Sequence, residues 1–80
     1  MAGVTKSVEL YGTASCPHTS EMREHLEWHR IAFIEFDVER DPAALERLRS
    51  LTNGNASVPV LVEDGRVTEI GWRGRACIVR

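Results

Sequence analysis

The sequence is poor in cysteine, with only Cys16 and Cys77. Small folds held by disulfide frameworks carry more, so such a scaffold is excluded and each cysteine has to be judged by its surroundings. An excess of one charge is also lacking. Ten Lys and Arg stand against twelve Asp and Glu, a formal net charge of -2. No basic field therefore points to nucleic acid or to an anionic membrane, and neither is expected as a partner. No apolar run approaches the ~20 residues that cross a bilayer. Met1 to Ser7 has no apolar stretch of the secretory kind, and the expectation is a cytoplasmic protein. Linkers, repeats and low-complexity stretches are absent, so residues 1–80 read as a single domain, expected to be a monomer. The 42% hydrophobic and 28% charged content is that of a folded chain rather than a disordered one.

What is present is an alternation of strand-like and helix-like periods. Ser7 to Tyr11 alternates polar and apolar residues and predicts a first strand. The small residues Gly12 to Ser15 end it, with Ser15 as a helix cap and Pro17 in the first turn. A helix is expected from Pro17 to about Arg30, with Met22, Leu26 and Arg30 on one face. Ala32 to Val38 reads as a second strand. Asp41-Pro42 reads as a cap and first turn, and Ala44, Leu48 and Leu51 carry a second helix to about Thr52, where Asn53-Gly54-Asn55 stops it. Val58 to Val62, opening at Pro59, and Val67 to Ile70 form a hairpin across Asp64-Gly65. Gly71 to Gly74 breaks the pattern, leaving the last six residues for a short helical turn. The expected fold is α/β: a mixed four-stranded sheet with flanking helices, in the order β-α-β-α-β-β, whose first two strands are joined by a right-handed crossover.

Cys16 falls between the first strand and the first helix. Unpaired amides and the helix dipole put partial positive charge there. A thiol in such a place loses its proton more readily, and the thiolate is the species that attacks disulfides. His18 would add charge if protonated, and Thr19 offers a hydroxyl hydrogen bond to the sulfur. The competing reading of Cys16 is an inert core cysteine. Pro59 reads either as an ordinary strand-start proline or as a cis proline. The cis form would turn the Val58 backbone outward as an edge on which an extended peptide can pair. His18, His25 and His29 lie near Cys16 in sequence, but their spacings do not match common zinc patterns, and no metal is expected. Trp28 is expected to serve packing, and Trp72 either walls a substrate groove or covers a sheet edge. The charged run from Glu35 to Asp41 reads as strand-end and cap chemistry.

Three short motifs occur in a telling order. Cys16-Pro17-His18-Thr19 resembles the Cys-Pro-Tyr-Cys of glutaredoxins with its last cysteine replaced. Ser57-Val58-Pro59 resembles their Thr-Val-Pro, and Ile70-Gly71-Trp72 their Ile-Gly-Gly. The element order agrees from about Ser7 to Arg73. The resemblance implies a thioredoxin fold and a cis Pro59. It also implies catalysis by Cys16 with help from Thr19 and His18, and glutathione as a co-substrate held along Pro17, Val58, Pro59, Gly71, Trp72 and Arg73. No tightly bound cofactor is implied. Several family features are missing: Gly12 stands where many glutaredoxins have lysine, Asn55 and Ala56 lie where many have a basic residue, and Trp72 replaces the second glycine. Arg73 and Arg75 either take over the lost carboxylate contacts or are solvated surface charges.

Threonine at position 19 removes the local resolving thiol. One route is a monothiol cycle, in which glutathione or another low-molecular-weight thiol attacks the Cys16 adduct and mixed disulfides of protein substrates are reduced. In the second, Cys77 resolves the adduct if its Cα comes within about 7 Å of that of Cys16, making the pair a redox sensor or a dithiol couple. Otherwise Cys77 is a packing residue. The resemblance leaves room for a third function, an iron–sulfur carrier that uses Cys16, although Pro17 stiffens that loop.

Overall fold

The structure, a computed structural model, describes residues 7–79. Residues 1–6 and Arg80, parts of the expected single domain, lie outside the described residues. The observed elements are β1 (Val8–Gly12), α1 (Pro17–Trp28), β2 (Ile34–Asp37), α2 (Pro42–Leu51), β3 (Ser57–Val58), β4 (Val60–Glu63), β5 (Arg66–Ile70) and β6 (Cys77–Ile78).

Four strands form one sheet in the order β2-β1-β4-β5. β1 runs parallel to β2 and antiparallel to β4, and β4 runs antiparallel to β5. The mixed sheet matches the sequence expectation. The β4–β5 turn at Asp64-Gly65 has positive φ at both residues, 53° and 81°. That backbone closes a two-residue hairpin compatible with strand twist, which is why Asp-Gly marks it in sequence.

Alternation along the strands divides the interior. Leu10 faces α1 and packs with Met22 and Leu26, while Tyr11, Val60 and Val62 face α2 and pack with Ala44 and Leu48. Fully burying a leucine or valine side chain stabilises the fold by ~1.5–3 kcal/mol, so these two layers hold the strands in place. An ion pair ties α1 to the sheet edge: Arg23 donates through Nε and Nη2 to the two carboxylate oxygens of Glu35, each at 2.7 Å. Beneath α2, the Tyr11 hydroxyl donates to Glu9 at 2.9 Å, and burial raises its pKa.

Both helices end on a left-handed residue. In α1, Arg30 has φ 56°, its N–H donates to Glu27 O, and the Ile31 N–H donates to Leu26 O. This six-residue closure satisfies the last carbonyls. It also stops the helix at Trp28, two residues before the expected end, because nothing in Arg30 advertises the left-handed conformation that glycine would. Asn53 does the same for α2, with φ 58° and the Gly54 N–H on Arg49 O at 2.7 Å. The cap of α1 is Cys16 itself, not Ser15.

Two expectations for the chain end fail. The run through Pro59 is two strands, β3 and β4, and the last described residues form no helical turn. They return as β6 and pair antiparallel with β3 in a separate two-stranded sheet, Ser57 opposite Ile78 and Val58 opposite Cys77. The β-branched residues Ile78 and Val79 suit a strand, and Val79 is buried in the α2-side core, which anchors the segment. The expectation for Trp28 also fails. It is 84% exposed because it is the last residue of α1 and points away from both apolar layers.

The Asp41 side chain caps α2, accepting from the Ala43 and Ala44 N–H groups at 3.1 and 3.3 Å. Asp41→Ala is expected to lower the unfolding free energy by about 1 kcal/mol. Urea denaturation followed by circular dichroism checks this, with an unchanged slope.

Candidate active site

The site grows from the end of β1. Gly12 leads into Thr13-Ala14-Ser15, and Cys16 follows in an extended conformation at the cap of α1 (φ -87°, ψ 116°). Its carbonyl accepts from Thr19 N–H and Ser20 N–H at 3.1 and 3.3 Å, so the chain turns directly from the sulfur-bearing residue into the helix. Pro17 at the first helical position has no N–H to leave unpaired, and its side chain is exposed. The Cys16 side chain therefore sits at the positive end of α1.

Cys16 is 1% exposed and is joined to Cys77 by a disulfide, with a Cα separation of 6.1 Å across 61 residues of sequence. Its Sγ lies 4.0 Å from the Val58 carbonyl oxygen. Two anchors bring Cys77 here. The chain closes a tight turn at Trp72-Arg73-Gly74-Arg75, with reciprocal hydrogen bonds between Trp72 and Arg75 at 2.7 and 2.9 Å. Arg73 and Gly74 take the positive φ values (52° and 80°) that such a turn requires. β6 then pairs with β3, and the Val79 N–H donates to Ala56 O at 2.9 Å. Alternation along an antiparallel pair makes Val58 and Cys77 the next neighbours to exchange both backbone hydrogen bonds.

The Val58–Pro59 peptide is cis. Pro59 O accepts from Gly71 N–H at 2.7 Å, which joins the second and third motifs in space. Gly71 cannot carry a side chain, since a Cβ there would stand 2.8 Å from the Arg75 carbonyl oxygen at a backbone φ of 86°. The expected edge at Val58 thus exists, but β6 already occupies it.

The other expected site residues separate into groups. Cys16, Val58, Pro59 and Gly71 assemble around Cys77. Trp72 and Arg73 meet beside α1: the Trp72 ring lies 5.1 Å from the His25 ring, and the Arg73 guanidinium stands 5.2 Å from the centroid of the Trp72 ring. With Glu21 and Arg75 they line a hollow of about 240 Å³ beside α1. Trp72 therefore packs on α1, against the cluster of Leu10, Met22 and Leu26. His18 Nδ1 lies 3.3 Å from Glu21 Oε1, so its imidazole is engaged along the helix surface. His25 and His29 stack on each other at 4.3 Å. Among the described residues no group of three or more His, Cys, Asp or Glu side chains could hold a metal ion.

Thr19 is fully buried, and its hydroxyl has no hydrogen-bond partner among the described residues, so the expected bond to sulfur is not formed in this disulfide state. Thr19 instead presses on Gly12. A Cβ at position 12 would overlap the Thr19 methyl and stand 2.7 Å from its Oγ1. Sequence reasoning read Gly12 only as a missing lysine. The structure gives it a positive role, as the space into which Thr19 fits. β6 and the core role of Val79 were also missed. The signal was the apolar Ala76-Cys77-Ile78-Val79 run, too short to be read as a strand by period alone.

A thioredoxin-like sheet with a cysteine at the start of its first helix defines a class, the thiol–disulfide oxidoreductases. Residues 8–68 match the profile of the family described as Glutaredoxin, and the chain belongs to the glutaredoxin family. It is similar to a glutaredoxin-type protein of Mycobacterium tuberculosis, 33% identical over 58 residues, covering 72% of this chain and 69% of the relative. It is also similar to a glutaredoxin-like 8.6 kDa protein of the rubredoxin operon of Clostridium pasteurianum, 32% identical over 60 residues, covering 75% and 79%. Among solved structures, the thioredoxin-like protein BC3987 superposes with a TM-score of 0.72 at 35% identity, covering 78% of this chain and 84% of its own. A glutaredoxin of Archaeoglobus fulgidus, at 24% identity and a TM-score of 0.73 over 84% and 76% of the two chains, shares the fold. No helix among the described residues is long and apolar enough to cross a membrane.

Gly12→Ala is expected to destabilise the protein by about 1–3 kcal/mol through overpacking. In a Thr19→Ala background the same change should cost much less, a coupling that a double-mutant cycle in urea measures directly. The Cys16–Cys77 bond closes most of the chain into one loop and is expected to contribute about 2–4 kcal/mol by restricting the unfolded state. Denaturation of the oxidised protein and of the protein kept in excess reductant checks that difference.

Proposed function

We propose that this chain is a thiol–disulfide oxidoreductase in which Cys16 is the nucleophile and Cys77 the resolving thiol. The observation that carries this reading is the placement of Cys77 on β6, bonded to a Cys16 that caps α1. In the reduced protein the Cys16 thiolate, favoured by the helix amides, attacks a substrate disulfide. A Cys16–substrate bond forms and the far substrate sulfur leaves as a thiolate. The Cys77 thiolate then attacks Cys16 Sγ, forming the internal disulfide and expelling the second substrate thiolate. Two electrons pass from the protein dithiol to the substrate disulfide. Glutathione or another low-molecular-weight thiol serves as the reductant that opens Cys16–Cys77 again: one thiolate attacks to give a mixed disulfide, and a second releases it as the oxidised dimer. Family membership supports glutathione in this role. Trp72 and Arg73 stand beside α1, where they line a hollow with Glu21 and Arg75.

The same geometry favours the dithiol route over a monothiol cycle, since a sulfur 6.1 Å away at the Cα level needs no outside thiol to reach Cys16. In the reduced state the Thr19 hydroxyl, buried without a partner, becomes available to the thiolate. A buried hydroxyl left unbonded costs about 1–3 kcal/mol, which favours that contact when the sulfur carries charge.

Cys16→Ser should abolish reduction of protein and peptide disulfides. Cys77→Ser should retain the first attack and accumulate a mixed disulfide on Cys16, visible as an adduct by mass spectrometry of the quenched reaction. Equal turnover in wild type and Cys77→Ser would restore the monothiol route.

A further inference from the structure

α1 carries histidine at positions 25 and 29, and the thiol chemistry uses neither. A spacing of four places both side chains on one face of a helix. The helical spacing holds to the end of the element, since the His29 N–H donates to His25 O at 3.1 Å. The two ring centroids stand 4.3 Å apart with the planes tilted by 56°, and both residues are exposed. A neutral imidazole offers one nitrogen lone pair to a metal ion. Two imidazoles at this spacing can close on a single ion from one side of the helix.

Three features of the surroundings suit a cation there. The first is support: the His25 ring contacts the Trp72 indole at 5.1 Å as well as the His29 ring, so packing holds it in place. The second is the helix itself. His29 caps the C-terminal end of α1, where the last carbonyls put partial negative charge. The third is acidic: Glu21 and Glu24 line the hollow of about 390 Å³ that His25 shares with Trp28, Trp72 and Arg73. Among the described residues no third His, Cys, Asp or Glu completes a ligand set with the pair, so water takes the other positions around a bound ion.

We propose that His25 and His29 form a surface site for one divalent transition-metal ion, with copper(II) the tightest of the class. Imidazole nitrogen suits copper, nickel and zinc, whereas magnesium and calcium take oxygen donors. Along the first-row divalent ions affinity climbs to copper and drops again at zinc. A set of two nitrogens completed by water fits the tetragonal geometry of copper(II). The site stands apart from the thiol–disulfide reading. Binding uses neither Cys16 nor Cys77, no bond between sulfurs changes, and the ion keeps its oxidation state.

The test uses the oxidised full chain, in which Cys16 and Cys77 are paired and do not compete for copper. Trp28→Phe, at an exposed position, leaves Trp72 as the only indole. Copper(II) chloride is titrated at neutral pH while Trp72 fluorescence is followed, since copper(II) quenches an indole that lies this close. Saturable quenching at one ion per chain is expected. His25→Ala and His29→Ala should each weaken the apparent affinity about 100-fold, the advantage of two linked donors over one. His18→Ala, on the same helix, should leave it unchanged. Pulsed electron paramagnetic resonance of the copper complex should resolve two coordinated imidazoles, a readout that needs no histidine variant to fold. Affinity that survives both histidine replacements, or a spectrum with one imidazole or none, would overturn the inference.

Discussion

Val58 and Cys77, nineteen positions apart in the chain, meet as antiparallel neighbours, and the redox pair depends on that meeting. A disulfide tolerates little error in the distance between its ends. Here the distance is set by backbone on both sides. Cys16 is fixed by the start of α1 and Cys77 by the hydrogen bonds of β6. The larger sheet supplies the frame, since β1 delivers Cys16 and β4 continues directly from β3 through Pro59. Side-chain packing then seals the arrangement, with Cys16, Val58 and Val79 in one buried cluster.

The chemistry follows from where charge is favoured. Position 12 carries glycine where many family members have lysine, and the space beside it is filled by Thr19. The amides of the first turn of α1 remain as the source of positive potential, with the Thr19 hydroxyl buried and unspent. The nearest histidine in sequence, His18, is turned to Glu21. Under the proposed chemistry, peptide dipoles and one hydroxyl favour the Cys16 thiolate.

Much of the fold was legible in the sequence because its signals are local. The Asp64-Gly65 turn, the Asp41-Pro42 helix start and the Asn53-Gly54 stop each announce a backbone conformation within a few residues. The site was half legible. Cys16 and Pro59 stood out by context, but Cys77 was left among three readings, since what places it is a pairing with a residue far away in sequence. Local periodicity carries no information about such a contact. The family match ends at residue 68 and the motif resemblance near Arg73, so both were silent about the segment that brings the second sulfur. Trp28 and Trp72 show the opposite error. Large aromatics invite a role in the core or the groove, yet one lies open to solvent at a helix end and the other on the flank of α1.

The tight turn from Trp72 to Arg75 also sets a limit on chain length. Side chains alternate between faces along β6, so Cys77 points inward while Ile78 points out. Insertion or loss of a single residue in that turn would present a neighbouring aliphatic group to Cys16 and strand the thiol in water. Most surface turns accept such changes freely. This one is a ruler, and the Cys16–Cys77 bond is written in its number of residues.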